Sequence, residues 1–389
     1  VQTSHRQDVQ DLKLQGVTCV VDGEVHLSQI DMVFEAGSFT VLLGRTRAGK
    51  TTLLRMLAGL DRPDSGRIYW GDTDVTRLSV RRRDVAMVYQ QFVNYPSLTV
   101  YENIASPLRL RRAVGGAELD RRVREVADLL GLAPLLQRLP TELSGGQQQR
   151  TAIARALAKD AGLVLLDEPL ANLDYKLREE LRRELRAIFE ARGTTVVYAT
   201  AEPDEALLLG GRTAIIDEGR LLQMGPALDV YRHPSSERIA EIFSDPQLNV
   251  LDLEVRADGR GRVGQNQNQN QESEFALSHT LRELTPGKYR IGVRANHLHL
   301  ARTSDADLRL QATTLVDEVT GSATLLHVAY GSATLTAQLP GMHRHALGSA
   351  VELFIPPERL LVFALDGHLV AHASSSNSSS VPPAAHGTH

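Results

Sequence analysis

Residues Gly44-Arg45-Thr46-Arg47-Ala48-Gly49-Lys50-Thr51, with Thr52 next, fit the pattern G-x-x-x-x-G-K-[ST]. Glycine at both ends lets the backbone wrap a polyphosphate, so that successive N–H groups and a helix N-terminus point at its oxygens. Lys50 would reach the outer phosphates, and the Thr51 hydroxyl would ligate Mg2+. Lysine is scarce elsewhere: it stands only at Lys13, Lys50, Lys159, Lys176 and Lys288 in a chain with 43 basic residues. An ammonium kept in an arginine-rich chain marks a place for a compact point charge, where a planar guanidinium would not fit.

A second cluster completes that chemistry. Leu163-Val164-Leu165-Leu166-Asp167-Glu168-Pro169 is an apolar run ending in two carboxylates. Asp167 would hold the Mg2+ shell, and Glu168 would polarise an attacking water as general base. Acidic pairs at strand ends also cap helices. A phosphate loop upstream at domain-like spacing favours the chemical role.

The positioning elements follow from the apolar pattern. Residues 38–43 read as a buried strand feeding the loop, and 50–58 as the helix that leaves it. Residues 162–166, 194–198 and 212–216 read as further buried strands, as alternating α/β architecture requires. Between 119 and 159 the apolar residues recur at helical spacing, which predicts a mostly helical lobe inserted in the sheet. RIYWGDTDVT predicts an antiparallel hairpin that packs Trp70 beside the phosphate-binding core. After Pro246 short alternating segments such as YRIGV (289–293), ATLLHVAY (323–330) and ATLTAQL (333–339) predict a small all-β barrel-type domain. The expected layout is a flexible 1–10, a first domain 11–240 with its helical subdomain at about 91–160, a second domain 246–371 and a disordered tail 372–389. QNQNQNQ (265–271) reads as a solvated loop or hairpin extension.

Composition narrows the class. A net charge of -4 argues against a nucleic-acid-coating protein. The single cysteine, Cys19, excludes an internal disulfide and a cysteine-rich metal site. No apolar stretch approaches the roughly 18 residues of a membrane span, and the polar opening VQTSHRQDVQ lacks the character of a signal peptide. A soluble intracellular protein is expected. Arg81-Arg82-Arg83 reads as a solvated loop surface, and the pairs His297/His299 and His343/His345 as surface histidines without companion acids.

Leu143-Ser144-Gly145-Gly146-Gln147-Gln148-Gln149-Arg150 stands shortly before the acidic strand. With the phosphate loop, it makes the chain resemble the ATP-binding cassette (ABC) family, whose signature sequence it is. Met87-Val88-Tyr89-Gln90 resembles that family's glutamine loop, and Leu170-Ala171-Asn172-Leu173-Asp174 its D-loop. The resemblance covers about residues 11–240. IGVRANHLHL (291–300), VDEVTGSATLLHV (316–328) and PPERLLVF (356–363) look like the OB-type regulatory domain of bacterial sugar- and polyol-import ATPases. The fold class implied is an α/β P-loop NTPase domain of ABC type with an inserted helical subdomain, followed by a small all-β OB-type domain.

The resemblance implies ATP and Mg2+ as cofactors. Lys50, Gln90 and Glu168 would be catalytic, and Thr51, Gln90 and Asp167 would serve the metal. Phosphates would be held by Gly44, Arg45, Thr46, Arg47, Ala48, Gly49, Lys50, Thr51 and Thr52. Ser144, Gly145, Gly146 and Gln147 open a helix, and in the family this end faces the γ-phosphate held by the other subunit of a head-to-tail dimer. Implied partners are a second ATPase subunit, like or unlike, and two transmembrane permease subunits docking on segment 91–107, opened by Gln91 and closed by Pro107. A periplasmic solute-binding protein acts indirectly, and no nucleic acid is involved. The implied place is the cytoplasmic face of a bacterial inner membrane. YQQFVNYPSLTVYENIASPLR (89–109) and VVYATAEPDEALLLGG (196–211) also look like the paired ATPases of bacterial glycerol-uptake systems, implying import of glycerol, glycerol phosphate or another polyol or sugar.

Three positions depart from the family pattern. Arg47 stands where glycine is usual, and Val20 and Val21 stand where an adenine-stacking aromatic is usual. Ala201-Glu202 replaces a switch histidine and its following Asp. An alternative follows: a degenerate, mainly regulatory subunit of a heterodimer, with little hydrolysis at its own site. The competing possibility is a homodimer that tolerates the changes, with Glu202 or water in place of histidine.

Overall fold

The structure is a computed structural model that describes residues 10–91, 93–111, 115–171, 175–264, 273–277 and 279–372. Asn172, Leu173 and Asp174 of the D-loop segment, the 265–271 run and all of 372–389 but its first residue lie outside the described residues. Two compact units divide the chain, Val1–Arg232 and His233–His389. Segment 233–240, read from sequence as the end of the first domain, belongs to the second unit. Its Glu237 N–H donates to Gly367 O at 2.8 Å, and Ala240 packs with Leu248, Leu361 and Phe363.

The first unit begins with strands β1 (Leu12–Val21), β2 (Glu24–Phe34) and β3 (Phe39–Leu43), then helix α1 (Lys50–Ala58). Strands β4 (Ser65–Trp70), β5 (Thr73–Asp74) and β6 (Val85–Val88) follow. Helices α2 (Val100–Arg111), α3 (Gly116–Leu129) and α4 (Gly145–Ala158) form the helical lobe, α2 packing on both others. The unit closes with β7 (Leu163–Asp167), α5 (Tyr175–Arg192), β8 (Thr195–Thr200), α6 (Pro203–Leu209), β9 (Arg212–Asp217), β10 (Arg220–Pro226) and α7 (Ala227–Arg232).

These strands make two sheets. An antiparallel sheet of order β2-β1-β4-β5 starts from a two-residue turn, Asp22-Gly23, with φ of 52° and 85°. Positive φ at both turn residues matches the right-handed twist of the flanking strands. Trp70, at the end of β4, packs against the adjoining core. The second sheet has order β10-β9-β3-β8-β7-β6, parallel throughout except for β10 at its edge. Its inner strands β3, β7 and β8 are buried along their whole length. That is why they read as unbroken apolar runs rather than alternating ones.

Helix α1 is bounded by glycines in the left-handed region, Gly49 at φ 106° and Gly59 at φ 76°. Leu53, Leu54, Met56 and Leu57 enter the core shared by the two sheets. Its last turn is satisfied by Arg83, which donates to Met56 O at 2.8 Å and Leu57 O at 2.7 Å and also reaches Leu78 O and Val75 O. Arg83 is therefore not part of a solvated loop surface. It caps α1, and burial lowers its pKa to about 10. Arg81 and Arg82 are exposed, as expected.

The second unit carries α8 (Glu237–Ile242), β11 (Asn249–Val255), β12 (Arg260–Val263), β13 (Ser273–Ala276) and β14 (Gly287–Val293). Strands β15 (Leu308–Val319), β16 (Ala323–Tyr330), β17 (Ala333–Pro340), β18 (Ala350–Ile355), β19 (Leu361–Phe363) and β20 (Leu369–His372) complete it. They form sheets of order β13-β12-β11-β14-β19-β20 and β17-β16-β15-β18, whose inward residues share one core. The alternation of ATLLHVAY appears directly as every second residue of β16 buried. Two histidine expectations need correction. His345 Nδ1 lies 3.3 Å from the Asp317 carboxylate, so that pair does have a companion acid. His297 is half-buried, and burial together with Arg359, Arg294 and His299 pushes its pKa down to about 4.

Candidate active site

Parallel sheets gather ligand-binding groups beyond the carboxyl ends of their strands. The loop 44–49 leaves β3, Asp167 is the last residue of β7, and Gln90 follows β6. Lys50, 5% exposed, turns its Nζ back to donate to Gly44 O at 2.8 Å and Arg45 O at 3.1 Å. The same Nζ lies 3.5 Å from Glu168 Oε1. Burial lowers the Lys50 pKa, and Glu168 and Asp167 oppose that shift.

Asp167 is 2% exposed and accepts a hydrogen bond from the Thr51 hydroxyl at 3.1 Å. Burial raises its pKa and the Glu168 charge adds to the effect, while Thr51 and Lys50 oppose it. Glu168 sits at φ 45° with its N–H donated to Ala199 O at 3.0 Å. From there its carboxylate accepts from Gln90 Nε2 at 2.8 Å.

Lys50, Glu168 and Gln90 open on a cleft of about 630 Å3, lined among others by Thr46, Arg47, Ala48, Gly49, Thr51 and Thr52. Gly44, Arg45 and Asp167 are not part of this lining. A Cβ at Gly44 would lie 2.2 Å from Ile216 O, and one at Gly49 would lie 2.7 Å from His26 O. Glycine is thus imposed by the backbone's close approach as well as by φ. The lining fits a triphosphate: a buried ammonium, three threonine hydroxyls and a loop running into a helix N-terminus. Thr51, Asp167 and Gln90 are oxygen donors of the kind Mg2+ takes, and the buried Asp167 carboxylate is a charge that a cation would relieve.

Arg47 adopts φ 68° and is exposed. The family's glycine at this position therefore answers a left-handed backbone, which Arg47 occupies under strain rather than crowding it away. Val20 and Val21, 42% and 40% exposed, are absent from the cleft lining, whereas Val25, paired with Val20 across the hairpin, is part of it. Ala201 offers only a methyl. Glu202 is held by Arg178 at 3.0 Å and does not line the cleft.

Ser144, Gly145, Gly146 and Gln147 do not line this cleft. Ser144 caps α4 in a reciprocal box: Gln147 N–H donates to Ser144 Oγ at 3.4 Å and Ser144 N–H to Gln147 Oε1 at 3.0 Å. Among the ties that leave that helix, two run toward the candidate site and the segment beyond Gln90. Gln149 Nε2 donates to Pro169 O beside Glu168, and Gln148 O accepts from Asn94 at 2.8 Å. Asn103, wholly buried, braces the loop beyond Asn94 by donating to Tyr95 O, Leu98 O and Thr99 O. Five cleft residues were not expected from sequence: Glu24, Val25, His26, Glu218 and Gly219. They lie far from the loop in sequence, on β2 and on the turn before β10. The Asp22-Gly23 turn was their one legible signal.

The ABC transporter family profile matches residues 27–171, and the TOBE domain profile matches residues 291–363. The sn-glycerol-3-phosphate import ATP-binding protein UgpC of Pectobacterium atrosepticum is 39% identical over 351 residues, covering 89% of this chain and 95% of that protein. The chain belongs to the ABC transporter family. This ABC ATPase is also 37% identical to the trehalose/maltose import ATP-binding protein MalK of Thermococcus litoralis, over 88% of this chain and 95% of that one. Among solved structures, the dimeric bacterial ABC transporter cassette MJ0796 aligns with a TM-score of 0.52 at 31% identity, covering 56% of this chain and 98% of its own. The same cassette in a post-hydrolysis state bound to ADP and Pi aligns at 0.51 and 31% identity, with the same coverage of 56% and 98%. The ABC ATPase therefore binds and hydrolyses ATP. No described helix is long and apolar enough to cross a membrane.

Proposed function

We propose that this ABC ATPase powers uptake of glycerol phosphate or a related polyol or sugar, as one half of a head-to-tail ATPase dimer seated on membrane permease subunits. Similarity to UgpC and MalK supports the solute class. The dimeric cassette MJ0796 supports the pairing. Ser144, exposed and away from this chain's own cleft, is free to complete the cleft of a mate.

The observation that carries the catalytic reading is the contact of Glu168 with both Lys50 and Gln90. Lys50 neutralises outer phosphate charge, and Glu168 accepts a proton from water held by Gln90. Mg2+, held by Thr51 and Asp167 with Gln90 nearby, would supply electrostatic stabilisation of the phosphate charge. A mainly regulatory subunit is not favoured, because this trio is assembled in the chain's own cleft.

Segment 91–107 is the proposed permease surface, at the cytoplasmic face of the membrane. Asn94 joins it to the helix of Ser144, and Gln149 joins that helix to the strand end at Pro169. Motion of the permease would thus be coupled to the hydrolytic carboxylate. Co-reconstitution of the full chain in vesicles with the two membrane permease subunits of a glycerol-3-phosphate importer tests the reading. ATP-dependent glycerol-3-phosphate or polyol accumulation supports it, and ATP turnover unaffected by permease and solute contradicts it.

A further inference from the structure

His26 enters the nucleotide cleft from β2, an element with no part in the phosphate loop. Its Nδ1 lies 3.4 Å from Thr52 Oγ1, which fixes the ring beside the first turn of α1. Its backbone carbonyl sits under Gly49 and Gly219, where a Cβ would come within 2.7 and 2.6 Å. The strand can move neither toward nor away from the loop without disturbing one of these contacts.

Order along α1 gives the ring its place in the cleft. Lys50 faces Glu168 and Thr51 faces Asp167, so the terminal-phosphate and metal side is occupied by those carboxylates. Thr52 turns to His26 instead. The neighbours of His26 in the lining are Glu24 and Val25 on its own strand, short or acidic groups unsuited to phosphate. Val20 and Val21 offer no aromatic ring, and among the described residues that line the cleft His26 is the sole aromatic.

Resting on the nucleotide-binding reading of this cleft, we propose that His26 is the nucleoside contact of this chain. Its imidazole, oriented by Thr52, packs against the base and takes the place of the missing aromatic at Val20 or Val21. Ring-to-base packing is sequence-tolerant and does not require a protonated imidazole.

The test measures binding of ATP and of inorganic tripolyphosphate to the full chain by calorimetry, for the unaltered protein, His26→Val and His26→Phe. Tripolyphosphate carries the phosphate chain without a nucleoside. For His26→Val, ATP affinity should fall by about fivefold or more while tripolyphosphate affinity stays within twofold. His26→Phe should bind ATP within about twofold of the unaltered chain, since an aromatic face is retained. Unchanged ATP affinity in His26→Val overturns the proposal, as does an equal loss for tripolyphosphate. Failure of His26→Phe to bind ATP while still binding tripolyphosphate also overturns it. Absence of any ATP binding by the unaltered chain would overturn the underlying reading of the cleft instead, and this inference with it.

Discussion

The Lys50 ammonium and the Glu168 carboxylate stand 3.5 Å apart, although 118 positions separate them in numbering. Glu168 directly follows β7, Lys50 opens α1 after the loop that leaves β3, and the strand between β3 and β7, β8, sets their spacing. A buried ammonium and a carboxylate thereby share one edge of one sheet. Their mutual attraction, with the bonds from Lys50 to Gly44 O and Arg45 O, holds the ammonium in place.

Arg47 holds a left-handed backbone at φ 68°. A non-glycine residue there costs about 1–2 kcal/mol. Arg47→Gly should therefore stabilise the first unit by about 1 kcal/mol, after the greater unfolded-state freedom of glycine is subtracted. Urea unfolding of the full chain, followed by Trp70 fluorescence, measures this. A loss of stability would show that the arginine side chain makes compensating contacts.

Arg83 donates to carbonyls of α1 and of the segment 75–78 and is half-buried. Truncating it removes the side-chain donor from Leu57 O and Leu78 O, while Met56 O and Val75 O keep N–H donors from Gly59 and Leu78. A carbonyl left unpaired costs about 1–3 kcal/mol when buried. Arg83→Ala should lower stability by about 2–4 kcal/mol overall. Arg82→Ala, at the exposed neighbour, should change it by less than about 0.5 kcal/mol. Chemical denaturation of both variants makes the comparison.

Much of this was legible beforehand, for identifiable reasons. Strands β3 and β7 are buried on both faces, so their apolar runs could only be core, and the loop pattern between β3 and α1 carries its own chemistry. Segment 323–330 became β16 at the same bounds because a sheet with one covered face alternates strictly. The role of Arg83 was hidden, since a triplet of arginines carries no sign of which guanidinium folds inward onto helix carbonyls. His26 was hidden too: its place in the cleft depends on a hairpin closing over a distant loop, and no local periodicity encodes that approach.

Asp167 gives a pH signature. Its pKa in the folded chain is raised by burial, so ionising it costs folding free energy. That cost is absent below the ordinary carboxylate range and grows as pH rises through it toward the elevated folded value. Without nucleotide, Asp167→Asn should therefore unfold at higher temperature than the unaltered chain at pH 7. The advantage should vanish near pH 4 (roughly the unperturbed carboxylate pKa). Thermal scans at both pH values measure it, and equal midpoints at pH 7 would contradict the role of burial.

Glu168→Gln keeps the hydrogen-bonding shape of the side chain and removes its basicity. Loss of a positioned general base costs on the order of 10²–10⁴ in rate. Steady-state ATP turnover of the full chain with Mg2+, with nucleotide binding followed in parallel, is the decisive measurement. A fall of at least about 100-fold with ATP binding retained is expected. Turnover within a fewfold of the unaltered chain would show that this cleft is not where its ATP is hydrolysed.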